Sequence, residues 1–165
     1  MEQDLLRRIA ALEDVEAIRT LKARYLFCCD RKDVDGMRGC FVDGAAHIDY
    51  GAIGRFDNAD ALAAVFRELG CHEHMVEMHH GVNPQIRVLG DTAAAGTWGL
   101  HYFLIDTQAQ RCTQLAGYYE DEYRKEGGAW KISATRFVVS STLVLDLSES
   151  LARCAFAGRA LPMAA

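Results

Sequence analysis

The order of apolar and polar positions divides the chain into a helical first half and a second half of strands. Between residues 4 and 30, apolar side chains recur every three or four positions, which is typical of one face of a helix. Asp14 could cap a helix and would then divide this segment into a short leader and a main helix. The apolar positions of the segment are Leu5, Ile9, Leu12, Val15, Ile18, Leu21, Tyr25 and Cys29.

Two further helices are predicted before residue 70. Asp33 can cap a short helix that carries Val34, Met37 and Phe41 on one face. A short strand is expected over residues 45–50. A third helix follows Asp57 or Asn58, either of which can act as its cap, and stops near Gly70. Its apolar positions are Ala61, Leu62, Val65, Phe66 and Leu69.

The rest of the chain carries strand patterns separated by turn residues. Strands are predicted over residues 82–89, 92–105, 112–124 and 129–145, with turns at Gly90-Asp91 and Gly127-Gly128. A tail over 146–165 follows, with a short helix near 150–156. Helices followed by an antiparallel sheet indicate an α+β domain, and a strongly curved sheet would leave a pocket against the helices.

Composition and charge narrow the class of protein. The 165 residues suit a single domain over 1–165. A net charge of −5 argues against nucleic acid or an anionic membrane as the main partner. The six cysteines form no Cys-x-x-Cys pair, which favours buried thiols in a reducing cytoplasm. The N-terminus lacks the apolar region of a signal peptide, and no apolar run is long enough to span a bilayer.

A pair of histidines stands where the second half begins. His79 and His80 precede an alternating stretch that ends at Gly90. Histidine is the side chain most easily used as an acid or a base near neutral pH. Unbroken alternation would place His80 on the face of Val82 and the apolar positions beyond it, whereas a bulge near Gly81 would let His79 share that face.

Several short motifs, in this order and spacing, resemble the SnoaL-like family of the nuclear-transport-factor-2-like superfamily, in particular its scytalone-dehydratase-like and bile-acid-dehydratase-like branch. The resemblance covers roughly residues 12–142. It implies a cystatin-like cone, in which three N-terminal helices pack inside a strongly curved, mixed or antiparallel sheet that encloses an apolar pocket. The motifs are residues 18–25, Asp30 and Asp33, Phe41 with 43–45, residues 79–86 and 90–93, residues 119–123 and residues 130–132.

The resemblance also implies roles for polar residues. Asp30 would orient a pocket histidine and stabilise its protonated form. His79 stands ahead of an Asn-Pro pair as the family histidine does, and is therefore the predicted base, with His80 as the alternative. His101 would be a second pocket histidine, or else a hydrogen-bonded core residue. Independently of the resemblance, Tyr25 shares the helical stripe of Leu21 and Cys29, so packing is its default role, but its hydroxyl could reach the pocket and donate to a substrate carbonyl.

Other residues are predicted to contact the substrate or are set aside. Arg136 would pair with Asp30 or with a substrate carboxylate if it faces the pocket, and would be solvated if it faces outward. The spacing of His72-Glu73-His74 and Glu77 matches no familiar metal pattern, so a polar loop is predicted and no metal is expected. The predicted substrate-binding set is His80, Arg136, Trp98, Phe41, Phe66 and Phe137, with Val65 as a further apolar wall.

The favoured hypothesis is a lyase without a cofactor. It would remove a proton next to a carbonyl of a small hydrophobic, aromatic or polycyclic molecule, with loss of water. Isomerisation or aldol-type cyclisation at the same site is an alternative, and so is a non-catalytic binding or assembly subunit. Apolar residues on both faces of the long strands favour a homodimer or homotrimer.

Overall fold

The computed structural model describes residues 1–148, so the predicted helix near 150–156 lies outside the described residues. Three α-helices are present within them. They are α1 (Glu2–Asp30), α2 (Val34–Arg38) and α3 (Ala59–Leu69). Asp33 caps α2 by accepting from the backbone N–H of Gly36, and Asn58, rather than Asp57, caps α3 by accepting from that of Ala61. No described helix has the length and apolar character needed to cross a membrane.

Helix α1 runs through Asp14 without a break. The Asp14 carboxylate accepts from Lys125 Nζ at 2.6 Å and from Trp130 Nε1 at 2.8 Å instead of capping a helix. It therefore ties α1 to the hairpin that turns at Gly127-Gly128. The predicted apolar face packs only from the middle of α1 onward, because Leu5, Ile9 and Leu12 are exposed on the first three turns.

Within residues 1–148, six strands form one mixed sheet. Its spatial order is β2-β1-β6-β5-β4-β3, and all neighbouring strands are antiparallel except the parallel pair β1 and β6. The α+β class and the cystatin-like arrangement expected from the sequence are thus present. The strands are β1 (Ala45–Asp49), β2 (Arg55–Asn58), β3 (Met75–Val88), β4 (Ala93–Asp106), β5 (Arg111–Glu126) and β6 (Ala129–Asp146).

Two strand assignments differ from the sequence prediction. Strand β2 was not predicted, because its four residues, Arg-Phe-Asp-Asn, include two charged side chains and an asparagine. Strand β3 begins at Met75 rather than at Val82. Its register shifts between Val82 and Gln85, and Asn83 adopts a left-handed φ of 51°. Because of this bulge, the odd-numbered residues of β3 face inward before it and the even-numbered residues face inward after it.

Helix α1 is held against the inner face of the sheet by a buried ion pair within the apolar core. Lys22 and Asp121 are both fully buried at the side chain, with Nζ 2.7 Å from Oδ2. Asp121 also accepts from Tyr123 Oη at 2.8 Å and from Thr135 Oγ1 at 2.6 Å. Desolvation lowers the pKa of Lys22, and the neighbouring Asp121 opposes that effect. Such a pair fixes how α1 sits over β5 and β6.

Candidate active site

A pocket of about 300 Å³ lies between the inner face of the sheet, the second half of α1, and α3. Most of its wall is apolar, and its polar residues are concentrated on α1, β3 and β4 and around Tyr50. The apolar lining includes Met37, Leu62, Val65, Phe66, Leu69, Leu100, Leu115 and Phe137. The polar and aromatic lining consists of Tyr25, Tyr50, Glu77, His79, Tyr102 and Tyr119.

Asp30 and His79 are bonded to each other at the pocket wall. Asp30 Oδ1 lies 2.7 Å from His79 Nδ1 and accepts the backbone N–H of the same histidine at 3.0 Å. Their side chains are 18% and 14% exposed. A carboxylate can only accept, so Nδ1 donates and Nε2 is left as the basic nitrogen. The pair has the arrangement of a general base with its orienting carboxylate.

The sequence brings these two residues together through a close approach of α1 to β3. Asp30 is the last residue of α1, and His79 lies on the inward face of β3. Gly81 is two residues further along that face, and a Cβ there would lie 2.7 Å from Cδ1 of Leu26. Glycine therefore gives Leu26, and with it the end of α1, room against the strand.

His80 and His101 lie on the other face of the sheet. They are directly opposite each other on β3 and β4, their ring centres are 6.4 Å apart, and both are exposed. The expected network of Asp30, His79 and His101 is therefore not formed, and His80 does not contact the pocket. The reason is the pleat: His79 pairs with Tyr102, so the neighbouring pair must point outward.

Two tyrosines hydrogen-bond to each other inside the pocket. Tyr25 Oη and Tyr50 Oη are 2.7 Å apart. One hydroxyl donates to the other, so one proton is left for a third acceptor. Burial raises the pKa of Tyr25 well above its ordinary value, and the neighbouring Tyr50 adds to the shift. Both hydroxyls are therefore neutral donors near pH 7.

Three of the other predicted contacts lie away from the pocket. Arg136 faces outward and contacts its cross-strand neighbour Glu120 at 3.3 Å, and both line a polar groove of about 910 Å³ on the outer face of the sheet. Trp98 is buried in the core and donates to Tyr123 Oη. Phe41 is also buried, edge-on to Tyr25, and is not part of the lining. Phe66, Phe137 and Val65 do line the pocket.

Four polar residues of the site are not predicted from the sequence: Tyr50, Glu77, Tyr102 and Tyr119. Glu77 had been assigned to a polar loop, but it belongs to β3 and shares the inward face of His79. Its spacing of two from the histidine was the available signal. Tyr102 could have been found only from its register opposite His79, and nothing in the sequence singles out Tyr50.

The loop before β3 places two histidines side by side. The rings of His72 and His74 stack with their centres 5.2 Å apart. Within residues 1–148, no three His, Cys, Asp or Glu side chains are arranged to hold a metal ion.

Comparison with solved structures finds the same fold in a dehydrochlorinase and in a candidate dehydratase. The hexachlorocyclohexane dehydrochlorinase LinA, type 2, is 16% identical, with a TM-score of 0.79 over 90% of this chain and 97% of LinA. A candidate scytalone dehydratase from Novosphingobium aromaticivorans is 19% identical, with a TM-score of 0.76 over 96% and 99% of the two chains.

A third similar structure is of a protein described as having a cystatin-like fold. A protein of unknown function with a cystatin-like fold from Nostoc punctiforme is 19% identical, with a TM-score of 0.59 over 79% of this chain and 92% of that one. The family model of the SnoaL-like domain matches residues 10–136, which is most of the chain and contains every residue of the pocket except Phe137. The chain therefore belongs to the SnoaL-like family.

Proposed function

We propose that this protein is a cofactor-independent lyase that eliminates water from a neutral, hydrophobic substrate with a carbonyl group. One observation carries the proposal: a histidine whose Nδ1 is bonded to a carboxylate stands in the wall of a largely apolar pocket. Such a histidine can take a proton from carbon if the charge that develops on the substrate is stabilised nearby.

The proposed reaction uses groups of this chain at each step. Nε2 of His79 takes the proton from the carbon next to the carbonyl, and the C–H electrons pass to the carbonyl oxygen. The hydroxyl of the Tyr25–Tyr50 pair that does not donate to its partner donates a hydrogen bond to that oxygen and keeps its proton, so the intermediate is a hydrogen-bonded enolate. When the enolate collapses, the bond to the β-hydroxyl breaks and the imidazolium returns its proton to the leaving oxygen, which departs as water. Asp30 holds the imidazolium during the interval.

The charges of the pocket favour a neutral substrate. Apart from its tyrosines and Cys29, its ionisable lining consists of one carboxylate, Glu77, and the histidine that Asp30 holds. Arg136, which would have suited a substrate carboxylate, lies on the outer face of the sheet. Two lysines lie beside the lining residues, and both are already paired: Lys32 with Glu77, and Lys22, over the ring of Tyr119, with Asp121. A volume of about 300 Å³ suits a molecule of one or two fused rings.

The structural neighbours support elimination over other outcomes. A dehydrochlorinase removes hydrogen and chloride, and a dehydratase removes hydrogen and hydroxyl, so both names denote loss of HX after proton abstraction. Isomerisation or cyclisation would begin with the same proton transfer, and differs only in the fate of the enolate.

The proposal is tested by product analysis in D₂O. Cyclic β-hydroxyketones and aromatic β-hydroxyketones of increasing size are incubated with the protein and followed by mass spectrometry. Loss of water is expected, and Asp30→Asn should reduce the rate by about 10²- to 10⁴-fold. Deuterium uptake without loss of water would point to an isomerase or a cyclase. Tight binding with neither reaction would support the binding-subunit alternative and contradict the lyase.

A further inference from the structure

A second set of polar side chains lies directly beside the Asp30–His79 pair. Glu77 precedes His79 by two residues on the inward face of β3. One of its carboxylate oxygens contacts Lys32 Nζ, and the other accepts from Tyr102 Oη at 2.7 Å. The side chains of Lys32 and Glu77 are each only 8% exposed. Because Lys32 contacts one oxygen and Tyr102 donates to the other, Glu77 is not free to act as an acid or a base. It can influence the site only through the residues that it contacts.

The backbone that presents Lys32 is strained. Lys32 has a left-handed φ of 59° in the turn that follows α1. A side chain other than glycine in this region costs on the order of 1 kcal/mol. The turn is closed by backbone bonds from Lys32 N to Cys29 O at 3.1 Å and from Asp33 N to Cys28 O at 2.9 Å. This strained turn directs the ammonium group of Lys32 toward Glu77 on β3.

The Asp30–His79 and Lys32–Glu77 pairs are in register with each other. Asp30 ends α1 and Lys32 follows it by two residues, while His79 and Glu77 are two residues apart on β3. Asp30 meets His79 and Lys32 meets Glu77. The end of α1 therefore contacts the strand through two pairs side by side.

Tyr102 joins the two pairs. It lies directly opposite His79 on β4, and the ring centres of the two residues are 4.7 Å apart. Burial raises the pKa of Tyr102, and the Glu77 carboxylate adds to the shift. The phenol therefore stays protonated and donates a hydrogen bond to Glu77. This bond holds the Tyr102 ring against the imidazole of His79.

Lys32 also changes the charge that His79 experiences. The charged or titratable groups around His79 are Asp30, Tyr25 and Cys29 from α1, Glu77 from β3 with the Lys32 that it contacts, Tyr102 from β4 and Tyr119 from β5. The pocket residues of α3 are apolar. Without Lys32, the imidazole would face two carboxylates, and each added negative charge favours its protonated form.

We propose that Lys32, Glu77 and Tyr102 are positioning residues that hold the His79 ring toward Asp30 and leave Asp30 as the only uncompensated carboxylate acting on it. The inference rests on the proposed role of His79 as a base. The test of the inference does not require turnover, however, so the inference and the proposed function can fail separately. Retained activity in His79→Ala would contradict the proposed function and leave the inference untouched.

The test is a ¹⁵N NMR titration of the His79 imidazole in the whole protein. Glu77→Gln leaves the Lys32 cation unpaired and should lower the titration midpoint by about half a pH unit or more. Adding Lys32→Met to that variant should return the midpoint to the wild-type value. If Glu77→Gln does not fold, Lys32→Met alone serves, and should raise the midpoint.

A matched control lies on the outer face of the sheet. Glu120→Gln breaks the exposed pair with Arg136 and should leave the His79 midpoint where it is in the wild type. The inference is overturned if Glu77→Gln, or Lys32→Met in its place, gives the wild-type midpoint. It is equally overturned if the double variant keeps the full shift of Glu77→Gln, because the effect would then not come from the Lys32 charge.

Discussion

At the scale of single residues, the candidate site depends on one oxygen atom. Oδ1 of Asp30 receives both the backbone N–H and the ring Nδ1 of His79. The first bond fixes the carboxylate relative to β3, and the second fixes the tautomer and the direction of the ring. The backbone of β3 and the Asp30 side chain together therefore determine which ring nitrogen of His79 is basic and where it points.

The tyrosine pair leads to a prediction about the carbonyl oxygen. Tyr50→Phe removes one of the two hydroxyls and should lower kcat by about 10²-fold, because a donor to the developing oxyanion is lost. Tyr118→Phe is the matched control, since Tyr118 lies on the outer face of the sheet and should keep wild-type turnover. Steady-state kinetics on a substrate identified by product analysis measures both. Equal kcat values for the two variants would contradict the role of the pair.

Individual site residues were predictable from the sequence only in part. Asp30 and His79 were identified by resemblance, and the structure brings them together. His80 and His101 were assigned to the pocket, but the pleat of β3 and β4 directs them outward. The deciding feature is the bulge at Asn83, which depends on pairing with β4 and has no local signature strong enough to place it.

At the scale of elements, the site is made by the approach of α1 to β3. The last turn of the helix meets the strand where Gly81 has no side chain, and Leu26 occupies the space that a Cβ would need. The buried Lys22–Asp121 pair fixes the same helix further back, against β5. These two contacts set the position of Asp30 relative to His79.

Alanine substitutions at Gly81 and at Gly90 test whether α1 needs the space beside β3 that Gly81 leaves. Gly81→Ala would place a Cβ 2.7 Å from Leu26 and should lower the free energy of unfolding by about 1–3 kcal/mol. Gly90→Ala meets no atom within 4 Å and should change it by less than about 0.5 kcal/mol. Urea unfolding compares the two variants. A Gly81→Ala protein as stable as Gly90→Ala would show that the helix does not need this space.

Most elements followed from local patterns in the chain. Asp33 and Asn58 cap the helices that they were predicted to cap, because a cap depends on residues three positions away. Strand β2 is too short and too polar to carry a pattern, and it forms because β1 offers an edge to pair with. The early start of β3 likewise reflects pairing with β4 and not a local preference.

At the scale of the whole molecule, the outer face of the sheet is apolar near one end. Four successive cross-strand rows there contain no Asp, Glu, Lys or Arg, and one of them holds the two outward histidines: Val76, Ile105, Cys112 and Leu145; Met78, Phe103, Gln114 and Leu143; His80, His101, Ala116 and Ser141; Val82, Gly99, Tyr118 and Val138. Several of these side chains are exposed, among them Leu143 at 53%. We propose that a second copy of this chain covers this face, since a patch of this kind marks an association surface.

Sedimentation tests the proposed self-association. The wild type should sediment as a dimer or a trimer, and Leu143→Glu should shift it to a monomer, because a carboxylate would be buried without a partner. Leu89→Glu adds the same charge to an exposed leucine beyond the end of β3 and should leave the assembly intact. A wild type that sediments only as a monomer would contradict the proposal.

The central claim is that His79, and not its neighbour, takes the proton. The most direct measurement is the rate of α-proton exchange into D₂O, together with product formation, for His79→Ala and His80→Ala. The two variants make the same change at adjacent positions on opposite faces of β3. We predict a loss of about 10²- to 10⁴-fold in His79→Ala and wild-type rates in His80→Ala. Retained exchange in His79→Ala, or its loss in His80→Ala alone, would contradict the account.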